Sequence, residues 1–135
     1  MAIRTTFVDT SAFYAIIDRS DSAHADVAAT WTSLLETEKC LITSNYVLLE
    51  TIALLQNRIS NKAALLFQND ILNVIDIHWI TQTIHELSVE LWKSQNRRHL
   101  SLVDCSSFIL MGQCRCDEAF SLDTHFAEHG YVHFP

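Results

Sequence analysis

Glycine and proline are nearly absent from this chain: 135 residues hold two of the first and one of the second. That excludes collagen-like and low-complexity polymers and leaves little room for long loops. Basic charge is scarce too. Sixteen Asp and Glu face nine Lys and Arg, a formal net charge of −7. No basic surface dominates, so broad electrostatic capture of nucleic acid is excluded. Apolar runs are short, and none approaches the ~18 residues of a membrane span. Arg4, Thr5, Thr6 and Asp9 interrupt the amino-terminal apolar stretch, and no small-residue cleavage site follows, so it does not read as a signal peptide. A cytoplasmic protein without a membrane partner is expected. Its cysteines, Cys40, Cys105, Cys114 and Cys116, are then reduced. Cys114-Arg115-Cys116, near His125 and His129, matches no zinc-binding spacing and reads as buried or incidental thiols. There is no Gly-rich phosphate loop and no Gly-x-Ser-x-Gly elbow.

What is present is a globular composition, 49% hydrophobic and 19% charged. One domain over residues 1–135 can bury a real core. Elements alternate along it. Strands are expected at Ile3 to Val8, Cys40 to Thr43, Val74 to Ile77, Ala119 to Leu122 and Tyr131 to Phe134. Helices are expected at Ser11 to Asp18, Asp21 to Glu38, Tyr46 to Asn57, Lys62 to Leu72, Thr81 to Gln95, Leu102 to Gln113 and Thr124 to His129. Thr10 or Ser11, Ser44 or Asn45, and Ser60 are expected N-caps. Short apolar strands alternating with helices imply an α/β fold, a parallel sheet covered on both faces.

Four acids stand apart because their neighbours are apolar: Asp9, Glu50, Asp104 and Asp123. Asp9 follows a strand directly, in Phe7-Val8-Asp9-Thr10-Ser11, and Asp123 repeats the pattern in Ser121-Leu122-Asp123-Thr124. Strand carboxyl ends are where open α/β sheets place their chemistry. Glu50 lies on a helix that reads as apolar almost all round, Tyr46 to Leu55. Asp104 opens a helix, where the helix dipole favours negative charge. Taken singly, Asp9, Asp104 and Asp123 read equally well as helix-start residues, and Glu50 as a buried acid paired with Arg or Tyr. Together they imply one acidic pocket. Converging carboxylates repel unless protonated or neutralised by a cation. Oxygen ligands select Mg²⁺ or Mn²⁺, which keep waters for a phosphate. Such a site activates water for in-line displacement at a phosphodiester.

With these motifs the chain resembles PIN domains, and most of all the VapC-type toxin ribonucleases, over essentially its whole length. Val8-Asp9-Thr10-Ser11, Glu50 on its apolar helix, Ser101-Leu102-Val103-Asp104 and Ser121-Leu122-Asp123-Thr124-His125-Phe126 carry the resemblance. It implies a three-layer α/β/α fold around a central, mostly parallel five-stranded sheet. It implies Mg²⁺- or Mn²⁺-dependent cleavage of RNA, with Asp9, Glu50, Asp104 and Asp123 as metal ligands, directly or through water. Asp9 and Asp104 would be central. Ser11 and Ser121 would hydrogen-bond a carboxylate. It also implies a homodimer and a small antitoxin partner. Many relatives carry a further acid after the last motif aspartate. Here Thr124 and His125 stand there, with Glu128 beyond, so a second ion would bind only with substrate.

Arg97-Arg98-His99 is the one dense basic patch, with Arg58 and Lys62 a looser pair. Arg97 and Arg98 are expected to grip RNA phosphates beside the metal site, against the alternative of a solvated loop. Trp31, Trp79 and Trp92 read as packing residues. His125 is the histidine nearest the acids in sequence and reads as a surface residue. Haloacid-dehalogenase-like phosphatases share a strand-end aspartate, but here Ser11 replaces their second one and no lysine follows Lys93. A housekeeping PIN nuclease without an antitoxin and a catalytically silent PIN-like binding module are the other readings.

Overall fold

The computed structural model describes residues 4–37 and 39–135. The chain runs β1 (Thr5–Val8), α1 (Thr10–Ile17), α2 (His24–Glu36), β2 (Cys40–Ser44), α3 (Asn45–Arg58) and α4 (Asn61–Asn69). A 3₁₀ turn at Ile71–Val74 leads into β3 (Asp76–His78), α5 (Gln82–Gln95) and α6 (Leu102–Gln113). β4 (Glu118–Phe120), the short α7 (His125–Glu128) and β5 (Val132–Phe134) complete it. The expected strand start at Ile3 and helix end at Glu38 lie outside the described residues.

The sheet has five strands in the order β3-β2-β1-β4-β5, and every pairing is parallel. The expectation of a mostly parallel sheet is met in its strictest form. β1 lies at the centre, and Phe7 and Val8 are wholly buried. That is why it reads as an apolar run and not an alternating one. The chain steps one way from β1 to β3, then crosses to β4 and β5 on the other side. With the right-handed crossovers that parallel connections adopt, this order puts α1 to α4 on one face and α5 to α7 on the other, giving three layers. The reversal also creates a switch point between β1 and β4, at whose carboxyl ends a crevice opens.

Several helices start where a hydroxyl stands ready. Ser44, Ser60 and Thr81 each accept a hydrogen bond from the backbone N–H three residues on, at 3.1, 3.1 and 3.2 Å. α1 departs from expectation. Its N-cap is Asp9, with no side-chain cap bond, and Thr10 is already helical. β3 starts two residues later than expected, because Val74 belongs to the 3₁₀ turn. Two tryptophans expected in the packing are outside it: Trp79 is 68% exposed and Trp92 44%.

Candidate active site

The end of β1 is knitted to the end of β4 through one carboxylate. Asp9 is buried, and its Oδ2 accepts hydrogen bonds from Ser11 and Ser121, both at 3.0 Å. Each serine oxygen also receives a backbone N–H, Leu122 on Ser11 and Asp123 on Ser121, both at 2.9 Å. The backbone N–H of Asp9 donates to Phe120. Asp-Thr-Ser after one strand and Ser-x-Asp after its neighbour are therefore two halves of one lock.

Burial pushes the Asp9 carboxyl from 3.8 up to about 6. The charges of Asp104 and, less, Asp123 push the same way, while the two serines oppose them. Glu50 and Asp104 are also raised, burial again being the largest cause. Asp9 and Asp123 add repulsion at Glu50, which the nearby Thr10 hydroxyl offsets in part. Asp123 and Glu50 add repulsion at Asp104. Asp104 is fixed by a capping box on α6: its N–H donates to Ser101 Oγ at 3.0 Å, and its Oδ2 accepts the Ser101 N–H at 3.1 Å.

The four acids line one open pocket with Ser11, Tyr14, Arg58, Ser101 and Leu122. Glu50 arrives there for a different reason from the one its sequence suggests. α3 is not apolar-buried all round: Val47, Thr51 and Leu55 face the core while Leu49 is 69% exposed. Glu50 sits partly buried on the flank between them.

Arg97 and Arg98 do not line the acidic pocket. They edge a separate groove with Trp92, Lys93 and Asn96. Arg97 donates to Glu128 Oε2 at 2.9 Å. Arg58 does reach the pocket, its guanidinium over the Tyr14 ring at 5.6 Å, and Tyr14 donates to Asp18 at 2.8 Å. His125, expected at the surface, is not there. It is largely buried, with Nδ1 3.0 Å from Asp123 Oδ1 and 3.8 Å from Asp104 Oδ2. The sequence signal for it was its position two residues after a site aspartate.

Mutual repulsion among raised carboxylates makes a cation the natural complement of this pocket. Asp104, Asp123 and His125 each offer a ligand atom, all within 4.8 Å of one another. The His125 Nδ1 is buried with no hydrogen-bond partner. An oxygen-rich cluster with an unused ring nitrogen fits a divalent metal.

Comparison with known proteins gives a concordant result. The profile of the PIN domain matches residues 6–130. The 23S rRNA-specific endonuclease VapC20 of Mycobacterium tuberculosis is 31% identical over 127 residues, 93% of this chain and 95% of that protein. The crystal structure of that protein, described as a Sarcin-Ricin loop cleaving toxin, superposes with a TM-score of 0.86 at 29% identity, covering 94% of this chain and 96% of the other. FitAcB from Neisseria gonorrhoeae shares the fold with a TM-score of 0.70 at 16% identity, covering 96% of each chain. DNA-bound VapBC from Salmonella typhimurium does so with a TM-score of 0.68 at 11% identity, covering 98% of each.

Proposed function

This chain belongs to the PIN-domain family, and on that premise we propose that it is a divalent-metal-dependent endoribonuclease, the toxin half of a toxin–antitoxin pair. The observation that carries the reading is the set of carboxylates gathered at the β1/β4 switch point, in a chain 31% identical to an rRNA endonuclease over 93% of its length. Asp9 and Asp104 would be the central metal ligands, and Glu50 and Asp123 would complete the pocket, binding the ion directly or through water. Ser11 and Ser121 fix the Asp9 carboxylate through their hydrogen bonds. Bound Mg²⁺ or Mn²⁺ would supply a more acidic water and neutralise charge on the phosphate. Arg97 and Arg98 take RNA phosphates outside the acidic pocket.

Ribosomal RNA is the substrate class to try first, because it is what VapC20 cuts. An antitoxin has an apolar seat beside the acids, where Tyr46, Leu49, Ala53, Leu102 and Val103 line a shallow pocket that Glu50 borders. The protein works as a homodimer in the cytoplasm. No helix among the described residues is long and apolar enough to cross a membrane.

The test is incubation with total RNA and with structured rRNA fragments, in Mg²⁺, in Mn²⁺ and in EDTA. Discrete metal-dependent cuts are expected. Asp9→Asn and Asp104→Asn should each slow cleavage by ~10²-fold or more, since metal catalysis is worth several kcal/mol. Cleavage that survives EDTA, or both substitutions, would overturn the reading.

A further inference from the structure

We infer that His125 is a nitrogen ligand to the divalent cation of the acidic pocket, and that it tilts this site from Mg²⁺ toward first-row transition metals. The inference rests on the metal-dependent reading and deepens it.

Three observations carry it. The first is an unused nitrogen. The His125 side chain is 12% exposed, and its Nδ1 is buried without a hydrogen-bond partner. Leaving such a buried atom unsatisfied carries the desolvation penalty with nothing to offset it. Asp123 Oδ1 lies 3.0 Å from it, but that contact lacks hydrogen-bond alignment, and the same oxygen already accepts the backbone N–H of His125 at 2.9 Å. The second is orientation. That backbone bond fixes the first turn of α7, and with it the side from which the ring approaches the acids. The third is spacing. Ligands at about 2.1 Å from an octahedral ion stand about 3.0 Å apart along each edge. Nδ1 and Asp123 Oδ1 have that separation, and Asp104 Oδ2 lies at 3.8 Å from Nδ1, within one coordination sphere after a small adjustment.

The chemistry follows from the donor set. Carboxylates alone suit Mg²⁺ and Mn²⁺. An imidazole nitrogen adds little for Mg²⁺ and much for later first-row ions, because affinity at mixed nitrogen and oxygen sites rises from Mn²⁺ toward Ni²⁺. The plain alternative is that His125 merely pairs with Asp123 as an ion pair and never touches the metal.

The experiment uses the full chain, stripped of metal and reloaded with Mn²⁺. Pulsed electron paramagnetic resonance reads nitrogen coupling to the bound ion. Competition by Ni²⁺ and by Mg²⁺ reads selectivity. The wild type should show coupling to one histidine nitrogen. In His125→Ala the coupling should vanish, and Ni²⁺ affinity should fall by at least the ~10-fold that loss of even an outer partner of a ligand costs. Mg²⁺ affinity should fall much less. His125→Asp should still bind Mn²⁺, without nitrogen coupling and with its preference moved toward Mg²⁺. Thermal unfolding checks each variant, and the wild-type spectrum needs none of them. Bound Mn²⁺ that Asp104→Asn releases, but with no nitrogen coupling or with coupling that persists in His125→Ala, overturns the role of His125 and leaves the metal-dependent reading standing. A wild type that binds no Mn²⁺ overturns both.

Discussion

Asp9 shows how a single residue can be at once well hydrogen-bonded and badly placed. Two serine hydroxyls favour its charged form, yet burial outweighs them and carries the carboxyl from 3.8 to about 6. In the metal-free protein the folded state therefore holds this proton to higher pH than the unfolded chain does. The resulting stability is fully present below about 3.8 and is lost as pH rises through about 6. From 3.8 to 6 the loss is about 3 kcal/mol at most. Asn has the same shape, and its carbonyl oxygen can still accept from Ser11 and Ser121. In EDTA at pH 7, Asp9→Asn should thus unfold at higher temperature than the wild type. The gap should close below pH 4, and Mn²⁺ should reverse it by stabilising the wild type more than the variant. Calorimetry across pH checks this, and a variant less stable at every pH would contradict it. Asp9, Glu50, Asp104 and Asp123 were all legible in the sequence, because an acid among apolar neighbours is anomalous wherever it falls. His125 was not. Its significance lies in where one ring nitrogen points, and α7 is too short for periodicity to give a direction.

Elements were legible where the pattern was long. The alternation of strands and helices gave the parallel sheet, and the serines before α3 and α4 announced their starts. Misreadings fell at edges. β3 is a three-residue edge strand that opens on an exposed Asp76, with Ile75 just before it and Ile77 as its one apolar residue, so its register could not be read from periodicity. On α5, the apolar Leu87 and Trp92 are 45% and 44% exposed, while the polar Ser88 is buried, donating to the Ile84 carbonyl at 2.6 Å. Capping separates structural from functional elements, and a paired prediction uses this. Ser60 caps α4 away from the acids, whereas Ser101 caps α6 and holds Asp104 in return. Ser60→Ala and Ser101→Ala should each cost about 1 kcal/mol of stability, read from denaturant midpoints. Only Ser101→Ala should also weaken Mn²⁺ binding, because only there does the cap position a site carboxylate. Equal metal affinity in both variants would detach the α6 cap from the site.

At the scale of the whole molecule the difficulty is charge. A chain of net charge −7 with its acids gathered in one pocket repels RNA until a cation neutralises that pocket. Sequence-independent attraction must then come from few residues, of which Arg97 and Arg98 are adjacent and share one groove. They are not equivalent. Arg97 is paired with Glu128 across the end of α7, and both side chains are about 45% exposed, so the pair is worth little and opens readily. Each arginine that meets a phosphate of single-stranded RNA contributes about 0.7 to the slope of log affinity against log salt. Arg98→Ala should remove about that much, and Arg97→Ala/Arg98→Ala up to about twice as much. Glu128→Gln works in the opposite direction. It releases the Arg97 guanidinium, removes one negative charge from the groove edge and should tighten RNA binding while steepening the salt slope. Fluorescence anisotropy with a labelled rRNA fragment over a salt titration, in the Asp9→Asn background to suppress cutting, reads all three variants. Affinity and slope unchanged by both the double substitution and Glu128→Gln would reduce the groove to a solvated loop and shift the search for phosphate contacts to Arg58, the arginine that reaches the acids themselves.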